Sequence, residues 1–249
     1  KIPRFVEQLI PYKAGKPISE LAREKNLTRI VKLASAENPL GSSPKALKAI
    51  EKALSGLNRY SDPASYDLVQ AIAEKYSVQP NHIICGHGTD SLLAYIVSAF
   101  TEEGDEIITC EGTFIGIYVS ISKTGRKLIK LPLKDYGFDL EALEGAITEK
   151  TSMIYLANPN NPTGTMFSSQ EFEAFMAKVP DHIMVTLDEA YTDYASEFED
   201  YPNGVRYDYE NLVITRTLSK AQGLAGLRIG FAVGPDKVIE ALYKVKLPF

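Results

Sequence analysis

The sequence predicts an α/β protein, with a three-layer α/β/α large domain around a mostly parallel seven-stranded sheet and a small domain that is incomplete in this chain. From about residue 82 onward, short apolar and β-branched runs alternate with segments of helical period. Because this alternation places helices over both faces of a parallel sheet, it indicates three layers. The 249 residues are 45% hydrophobic and 24% charged, which is typical of a globular protein with a sizeable core.

Seven strands are predicted by runs rich in β-branched and apolar residues. They cover residues 82–85, 106–110, 127–131, 152–157, 183–188, 212–215 and 229–233. The helices predicted between and after them cover residues 89–100, 114–122, 140–147, 168–177 and 236–246. Two more are predicted ahead of the sheet, at 65–76 and at 44–54, where Ser43 is the expected cap and Pro44 the first helical residue. Such sheets bind ligands outside the carboxyl ends of their strands.

The composition excludes several classes of partner. The chain has a net charge of −5 and no dense basic run, so nucleic acid is not an expected partner. No stretch approaches the roughly 18 apolar residues of a membrane span, so no membrane association is expected. Cys85 and Cys110 each end an apolar run, which favours buried strand cysteines over a disulfide or a metal site and indicates a reducing, cytoplasmic setting.

Two segments place polar side chains at the ends of predicted strands. Segment 158–164 (NPNNPTG) follows a strand directly and predicts a rigid turn whose amides can face a ligand, with a purely structural turn as the alternative. Segment 185–191 (VTLDEAY) ends an apolar strand with Asp188, and Tyr191 follows three residues later. Because a buried carboxylate needs a partner, Asp188 is expected to meet a cation or a protonated ring nitrogen, with a helix N-cap as the alternative.

Two other segments contain the residue types that bind phosphate. In segment 215–230 (TRTLSKAQGLAGLRIG), hydroxyls and Lys220 lead through a glycine-rich stretch to Arg228. Lys220 lies among Leu, Ala and Gly, where desolvation would let its amine act as a nucleophile, and a solvated surface lysine is the alternative. Segment 86–90 (GHGTD) lies between a strand and a helix, where glycines free backbone N–H groups to hold a phosphate.

Taken together and in this order, the four segments resemble the fold type I pyridoxal-phosphate aminotransferases, in particular the histidinol-phosphate aminotransferase family of class II. Further matching segments are 10–12 (IPY), 15–17 (GKP), 37–41 (ENPLG) and 59–62 (RYSD), so the resemblance runs along nearly the whole chain. Its most specific parts are 160–164 (NNPTG) and 219–228 (SKAQGLAGLR). Ala36 and Ser91 depart from the family pattern, which often has Asn and an acidic residue at these positions.

The resemblance implies a role for each matching residue. Lys220 would carry pyridoxal 5'-phosphate covalently and, once displaced by the substrate amine, would move the proton between the substrate α-carbon and the cofactor. Asp188 would pair with the protonated ring nitrogen. Asn161 and Tyr191 would hydrogen-bond the phenolic oxygen, and Phe114 would stack on the ring. The phosphate would be held by Gly88, Thr89, Asp90, Thr217, Ser219 and Arg228. The catalytic residues would thus be Lys220, Asp188 and Tyr191.

The resemblance also implies a homodimer and a division into domains. Tyr60 matches the tyrosine that reaches the phosphate from the neighbouring subunit. Tyr12 matches a tyrosine that contacts the substrate, and packing of the arm is its alternative role. Residues 1–35, with Pro3, Pro11 and Pro17, would form an irregular N-terminal arm and part of the small domain, and 36–249 the pyridoxal-phosphate-binding large domain. A C-terminal small domain is expected to be missing, because the chain stops directly after a predicted helix.

The implied function is transfer of the amino group of L-histidinol phosphate to 2-oxoglutarate, which gives imidazole acetol phosphate and L-glutamate in histidine biosynthesis. The partners would be a small-molecule amino donor and a 2-oxo acid, and no metal is expected. Two alternatives on the same scaffold stay open: an aromatic amino-acid aminotransferase and a threonine-phosphate decarboxylase. A non-catalytic pyridoxal-phosphate-binding module is disfavoured, because the lysine, aspartate, asparagine, tyrosine and arginine are all present together.

Overall fold

The protein is built around one seven-stranded sheet. The computed structural model describes residues 1–11 and 15–248. The strands are β1 (Ile83–Gly86), β2 (Glu106–Cys110), β3 (Lys127–Leu131), β4 (Thr151–Ala157), β5 (Met184–Asp188), β6 (Leu212–Thr217) and β7 (Gly230–Val233). Their order is β1-β7-β6-β5-β4-β2-β3, in which β7 is antiparallel to both neighbours and the other pairs are parallel. The predicted mostly parallel seven-stranded sheet is therefore confirmed.

Helices flank the sheet in chain order. They are α1 (Arg4–Glu7), α2 (Ile18–Lys25), α3 (Pro44–Ala53), α4 (Tyr66–Tyr76), α5 (Gly88–Phe100), α6 (Ile115–Ser122), α7 (Leu140–Gly145), α8 (Ser169–Met176), α9 (Thr192–Ala195) and α10 (Asp236–Val245). The seven predicted helices all occur. Local signals explain several boundaries: the Ser43 side chain caps α3, and Ser168 and Glu171 form a reciprocal capping box at the start of α8.

The core has a layer on each face of the sheet, because side chains alternate along every strand. Ile84, Ile107 and Tyr155 belong to the buried cluster that includes α5, α6 and α10. Their neighbours Ile108 and Leu156 belong to a second cluster that includes α7 and α8. A third cluster joins α4 to β1 and β7. The predicted three-layer arrangement is thus confirmed.

Strand direction brings the polar loops to one edge of the sheet. Since β1 to β6 all run in the same direction and β7 runs in the opposite one, six carboxyl ends and the amino end of β7 share that edge. The four segments that the sequence singles out for their chemistry all begin or end there. They are held by paired, buried strands, which is the rigid setting that a binding site needs.

Short helices were missed by the predictions from sequence. Residues 1–35 are not irregular throughout, because α2 begins directly after Pro17 and ends before Asn26. A proline that precedes a helix does not break it, since the first turn needs no intrahelical N–H donor. The four-residue helix α9 was also not predicted. Across the described residues, no helix is both long and apolar enough to cross a lipid bilayer.

Both cysteines are free and buried, as the sequence predicts. Burial raises the pKa of each thiol to about 11. Since the thiolate is the reactive form of cysteine, Cys85 and Cys110 are packing residues of β1 and β2. The described residues also contain no cluster of His, Cys, Asp and Glu arranged to hold a metal ion.

Candidate active site

A cavity of about 150 Å³ lies at the shared edge of the sheet. It is lined by Thr89, Asp90, Phe114, Asp188, Ala190, Thr217, Ser219, Lys220 and Arg228. Every one of these except Ala190 is a predicted site residue. The first turn of α5, the last residues of β5 and β6, and the loops that follow β2, β5 and β6 supply them. Residues far apart in the sequence therefore meet because their strands end together.

Asp188 is the last residue of β5 and lies at the bottom of the site, where only 4% of it is exposed. Burial raises the pKa of its carboxyl to about 6, although a hydrogen bond from Tyr155 acts in the opposite direction. Among the described residues, Asp188 has hydrogen-bond donors but forms no ion pair. It is not a helix N-cap, because the next helix, α9, begins at Thr192 with Tyr191 at its cap position. A buried carboxylate of this kind attracts a cationic ligand group.

Lys220 follows β6 and lines the cavity. Its Nζ donates a hydrogen bond to the carbonyl oxygen of Ser35 at 3.0 Å and lies 5.5 Å from the ring centre of Tyr191. Burial lowers the pKa of the amine, against an opposing effect from Glu37. The alternative of a solvated surface lysine does not describe this half-buried group. A lysine with a lowered pKa is a better nucleophile near neutral pH.

The opposite end of the cavity contains the groups that bind anions. Arg228 donates to the Asp90 carboxylate at 3.2 Å and lies 3.5 Å from the Ser219 hydroxyl. Thr217 donates to the same Ser219 hydroxyl at 3.0 Å. One guanidinium and two hydroxyls therefore converge beside the first turn of α5. The N-terminus of that 13-residue helix adds unpaired backbone N–H groups and a favourable dipole.

Glycines allow these groups to approach one another. Gly88, the first residue of α5, has a φ of +75°, and a Cβ there would lie 2.5 Å from a guanidinium nitrogen of Arg228. A Cβ on Gly230, at the start of β7, would lie 2.6 Å from the carbonyl carbon of Gly88. Both positions need glycine because the backbone of α5, the start of β7 and Arg228 occupy the space of a side chain.

Not every predicted site residue lines this cavity. Asn161 and Tyr191 line an adjoining groove of about 640 Å³, together with Ala36, Met166 and Phe198. Tyr60 is 82% exposed and is not among the residues that line the cavity. Tyr12 lies outside the described residues.

Two functional features were missed by the reasoning from sequence. The hydroxyl of Tyr155 donates to Asp188 at 2.8 Å from inside the core. Glu189 and Arg216 form a buried ion pair at the ends of β5 and β6, with 2.6 Å between Oε2 and a guanidinium nitrogen. The available signals were a tyrosine within an otherwise apolar strand and a charged residue at each of two neighbouring strand ends, since such groups are buried only with partners.

The glutamate–arginine pair fixes the spacing of the two strand ends that carry Asp188 and Lys220. Glu189 also accepts a hydrogen bond from the backbone N–H of Gly204 at 2.7 Å, and Arg216 lies 4.7 Å from the ring centre of Tyr76. Burial raises the pKa of Glu189, while the charge of Arg216 opposes that rise. Because each charge is compensated within the pair, Asp188 is the buried carboxylate that has no counterion among the described residues at this edge.

Comparison with known sequences defines the class of protein. The profile of the family "Aminotransferase class I and II" matches residues 28–249. The chain belongs to this family, which comprises pyridoxal-phosphate-dependent aminotransferases. Within it, the chain is a member of the histidinol-phosphate aminotransferases.

The relatives that support this assignment match almost the whole chain. It is 46% identical to histidinol-phosphate aminotransferase 2 of Hydrogenovibrio crunogenus and 48% identical to that of Haemophilus influenzae, over 98% and 99% of this chain and 68% of each relative. A crystal structure of the Sinorhizobium meliloti enzyme in complex with pyridoxal-5'-phosphate superposes with a TM-score of 0.90 at 30% identity, over 100% of this chain and 67% of that one. The chain thus spans about two thirds of the length of these relatives.

The residues around the cavity fit pyridoxal phosphate, which is the cofactor of this family. The buried, uncompensated carboxylate of Asp188 suits a protonated ring nitrogen. The amine of Lys220, with its lowered pKa, suits the cofactor's carbonyl carbon. Arg228, the hydroxyls of Thr217 and Ser219, and the start of α5 suit a phosphate. The cavity therefore offers partners for the ring nitrogen, the carbonyl carbon and the phosphate of the cofactor.

Proposed function

We propose that the full-length protein transfers the amino group of L-histidinol phosphate to 2-oxoglutarate and acts in histidine biosynthesis in the cytoplasm. The observation that carries this proposal is the convergence of Asp188, Lys220 and Arg228 on one cavity, in a chain whose relatives bear the name histidinol-phosphate aminotransferase. The two free cysteines support a reducing compartment.

In this proposal, Lys220 is both the attachment point and the proton carrier. When bound, pyridoxal phosphate supplies a carbonyl that links to amines and a ring that accepts electrons from the substrate α-carbon. Lys220 holds the cofactor until the substrate amine replaces it. Its freed amine, which has a lowered pKa, then takes the proton from the substrate α-carbon and passes it to the cofactor. Asp188 keeps the ring nitrogen protonated throughout.

The remaining residues orient the cofactor. Phe114 lines the cavity and is the residue we assign to stacking on the ring. Asn161 and Tyr191 are assigned to the phenolic oxygen. Both residues line the groove that adjoins the cavity, and the ring centre of Tyr191 lies 5.5 Å from the amine of Lys220. Their closeness to the point of cofactor attachment supports this assignment. The phosphate is assigned to Gly88, Thr89, Asp90, Thr217, Ser219 and Arg228. The Asp90 carboxylate already accepts from Arg228, so its backbone N–H is the group that suits the phosphate.

The amino donor is tested by a panel of amines offered to the full-length protein. The absorbance of the bound cofactor is followed as each donor reacts. We expect L-histidinol phosphate to react with a kcat/KM at least about 100-fold above that of L-phenylalanine, because a site built for a phosphate leaves groups unpaired when the phosphate is missing. A strong preference for phenylalanine would assign the aromatic aminotransferase activity instead. Release of carbon dioxide from threonine phosphate would assign the decarboxylase.

The homodimer is proposed with Tyr60 reaching the phosphate of the neighbouring subunit. Large apolar side chains are exposed at Val31, Leu33, Leu40 and Leu57, all within 30 residues of Tyr60, and such a surface favours a covering partner. In the same proposal, residues 1–35 form an arm and part of a small domain, 36–249 form the large domain, and Tyr12 contacts the substrate.

Mixed dimers test the assignment of Tyr60. We expect Tyr60→Ala and Lys220→Ala to be inactive alone, and their mixture to regain up to about a quarter of the wild-type activity, because a mixed C2 dimer contains one site with both native residues. Activity is measured on the unseparated protein after the two variants are co-expressed in equal amounts, so that half of the dimers are mixed and each mixed dimer has one intact site of two. If Tyr60 served its own subunit, no mixed dimer would contain an intact site and activity would not return.

A further inference from the structure

Tyr155 is joined to the candidate active site from inside the protein core. It lies on β4 and is completely buried. In the sheet, Ala157 pairs with Asp188, and Tyr155 lies two residues before Ala157, so the side chains of Tyr155 and Asp188 are on the same face. The Tyr155 hydroxyl donates to Oδ2 of Asp188 at 2.8 Å. The other oxygen, Oδ1, accepts from the backbone N–H of Ala190 at 3.2 Å.

The environment of Tyr155 does not otherwise require a hydroxyl. Its ring belongs to the apolar cluster that includes Leu92, Ile96 and Met153, where a phenylalanine would bury the same ring without a polar group. A buried hydroxyl costs free energy unless it is hydrogen-bonded, and here its partner is the carboxylate assigned to the cofactor. The contact therefore concerns the site rather than packing.

We propose that Tyr155 is a positioning residue that holds the carboxylate of Asp188 in one orientation and in its ionised form. This inference rests on the proposed function, in which Asp188 pairs with a protonated ring nitrogen. Tyr155 itself does not line the cavity, so it acts through Asp188. A donor behind the carboxylate stabilises the charge that faces the ring, and it does so before any ligand arrives.

The other charged groups near Asp188 do not replace this contact. Asp90, at the start of α5, raises the pKa of Asp188 by repulsion. Lys220, which lines the cavity, and Tyr191, which lines the adjoining groove, also interact electrostatically with Asp188, and neither is hydrogen-bonded to its carboxylate. Burial raises the pKa of Tyr155 far above its ordinary value, so its hydroxyl remains a donor throughout the working pH range.

Infrared titration of the full-length protein, freed of cofactor, tests the inference. The band of the protonated Asp188 carboxyl is the one that disappears in Asp188→Asn. We expect its midpoint near pH 6 in the wild type and about one pH unit higher in Tyr155→Phe, because a hydrogen bond to a charged group changes proton affinity about tenfold. Fluorotyrosine at position 155, a stronger donor of nearly the same shape, is expected to move the midpoint down.

Tyr201→Phe is the matched control. Tyr201 is also a buried tyrosine. Its hydroxyl donates to the Asn158 carbonyl at 2.8 Å and lies 3.4 Å from Oε1 of Glu189, with no hydrogen bond to Asp188, so the midpoint should not move. An unchanged midpoint in Tyr155→Phe, or shifts of the same sign in the phenylalanine and fluorotyrosine proteins, would overturn the inference. If Tyr155→Phe does not fold, the fluorotyrosine protein alone decides. Since no cofactor is present, failure here is distinct from failure of the proposed function, which wild-type cofactor binding tests.

Discussion

Lys220→Ala is expected to bind pyridoxal phosphate, to lose the link that borohydride traps, and to lose at least about 10⁴-fold in kcat, because one side chain serves as both attachment point and proton carrier. Binding should persist because Asp188, Arg228 and the start of α5 remain in place. Mass analysis of the reduced protein, with mapping of the modified peptide, measures the link. Steady-state kinetics measures the rate.

Lys246→Ala is the matched control for this result. Lys246 is also half-buried with a pKa lowered by burial, and it donates to the Pro63 carbonyl at 2.6 Å outside the cavity. Its replacement should leave both the link and the rate unchanged. If Lys220→Ala were still trapped by borohydride at another lysine, the assignment of the nucleophile would be wrong. Because the pKa of Lys220 is lowered from its ordinary value of 10.5, the rate at which cofactor attaches to the wild type should rise with pH around a midpoint below 10.5.

The sheet could be predicted from sequence because its strands other than the edge strand β3 are buried on both faces. Short runs rich in apolar and β-branched residues, such as 106–110 and 183–188, favour a buried strand over other structures. β2 begins and ends as predicted. The same reasoning located Asp188 at the end of the run 183–188, and it placed Thr217 and Lys220 in the polar segment that follows the run 212–215. Strand direction then explains why they meet, even though no pair of them was predicted to be in contact.

What sequence reasoning missed depends on contacts across the sheet. Tyr155 looks like one more core residue of β4, and only the register with β5 places its hydroxyl against Asp188. The helix α2 was missed because Pro17 was taken as an interruption, whereas its position just before the helix makes it a start. Asn161 and Tyr191 were grouped with the cofactor by resemblance, and the structure places them on the wall of the adjoining groove.

Asp188→Asn is the second change with a large expected effect, and activity and stability should move in opposite directions. Replacing the carboxylate removes the counterion of a protonated ring nitrogen in a buried site. Breaking one side of such a pair costs about 3–5 kcal/mol, so kcat should fall by about 10² to 10⁴-fold. Asp181→Asn, an exposed position just before β5, is the control and should retain full activity.

Without cofactor, the same variant should be more stable than the wild type at neutral pH. The folded-state pKa of Asp188, about 6, lies above its value of roughly 3.9 in the unfolded chain, so the ionised form is disfavoured by folding. The protonated carboxyl contributes up to about 3 kcal/mol to the free energy of unfolding. This contribution is fully present below about pH 4 and is lost as the pH rises through 6. Asparagine, neutral at every pH, avoids that loss.

Urea unfolding of the cofactor-free proteins at several pH values measures this difference. The free energy of unfolding of Asp188→Asn should exceed that of the wild type at pH 7.5, and the excess should shrink toward pH 4. A constant difference across this range would mean that Asp188 is not forced into its charged form by burial. The expected result identifies Asp188 as a residue kept at a cost in stability, since only the bound cofactor supplies the positive charge that its buried carboxylate lacks.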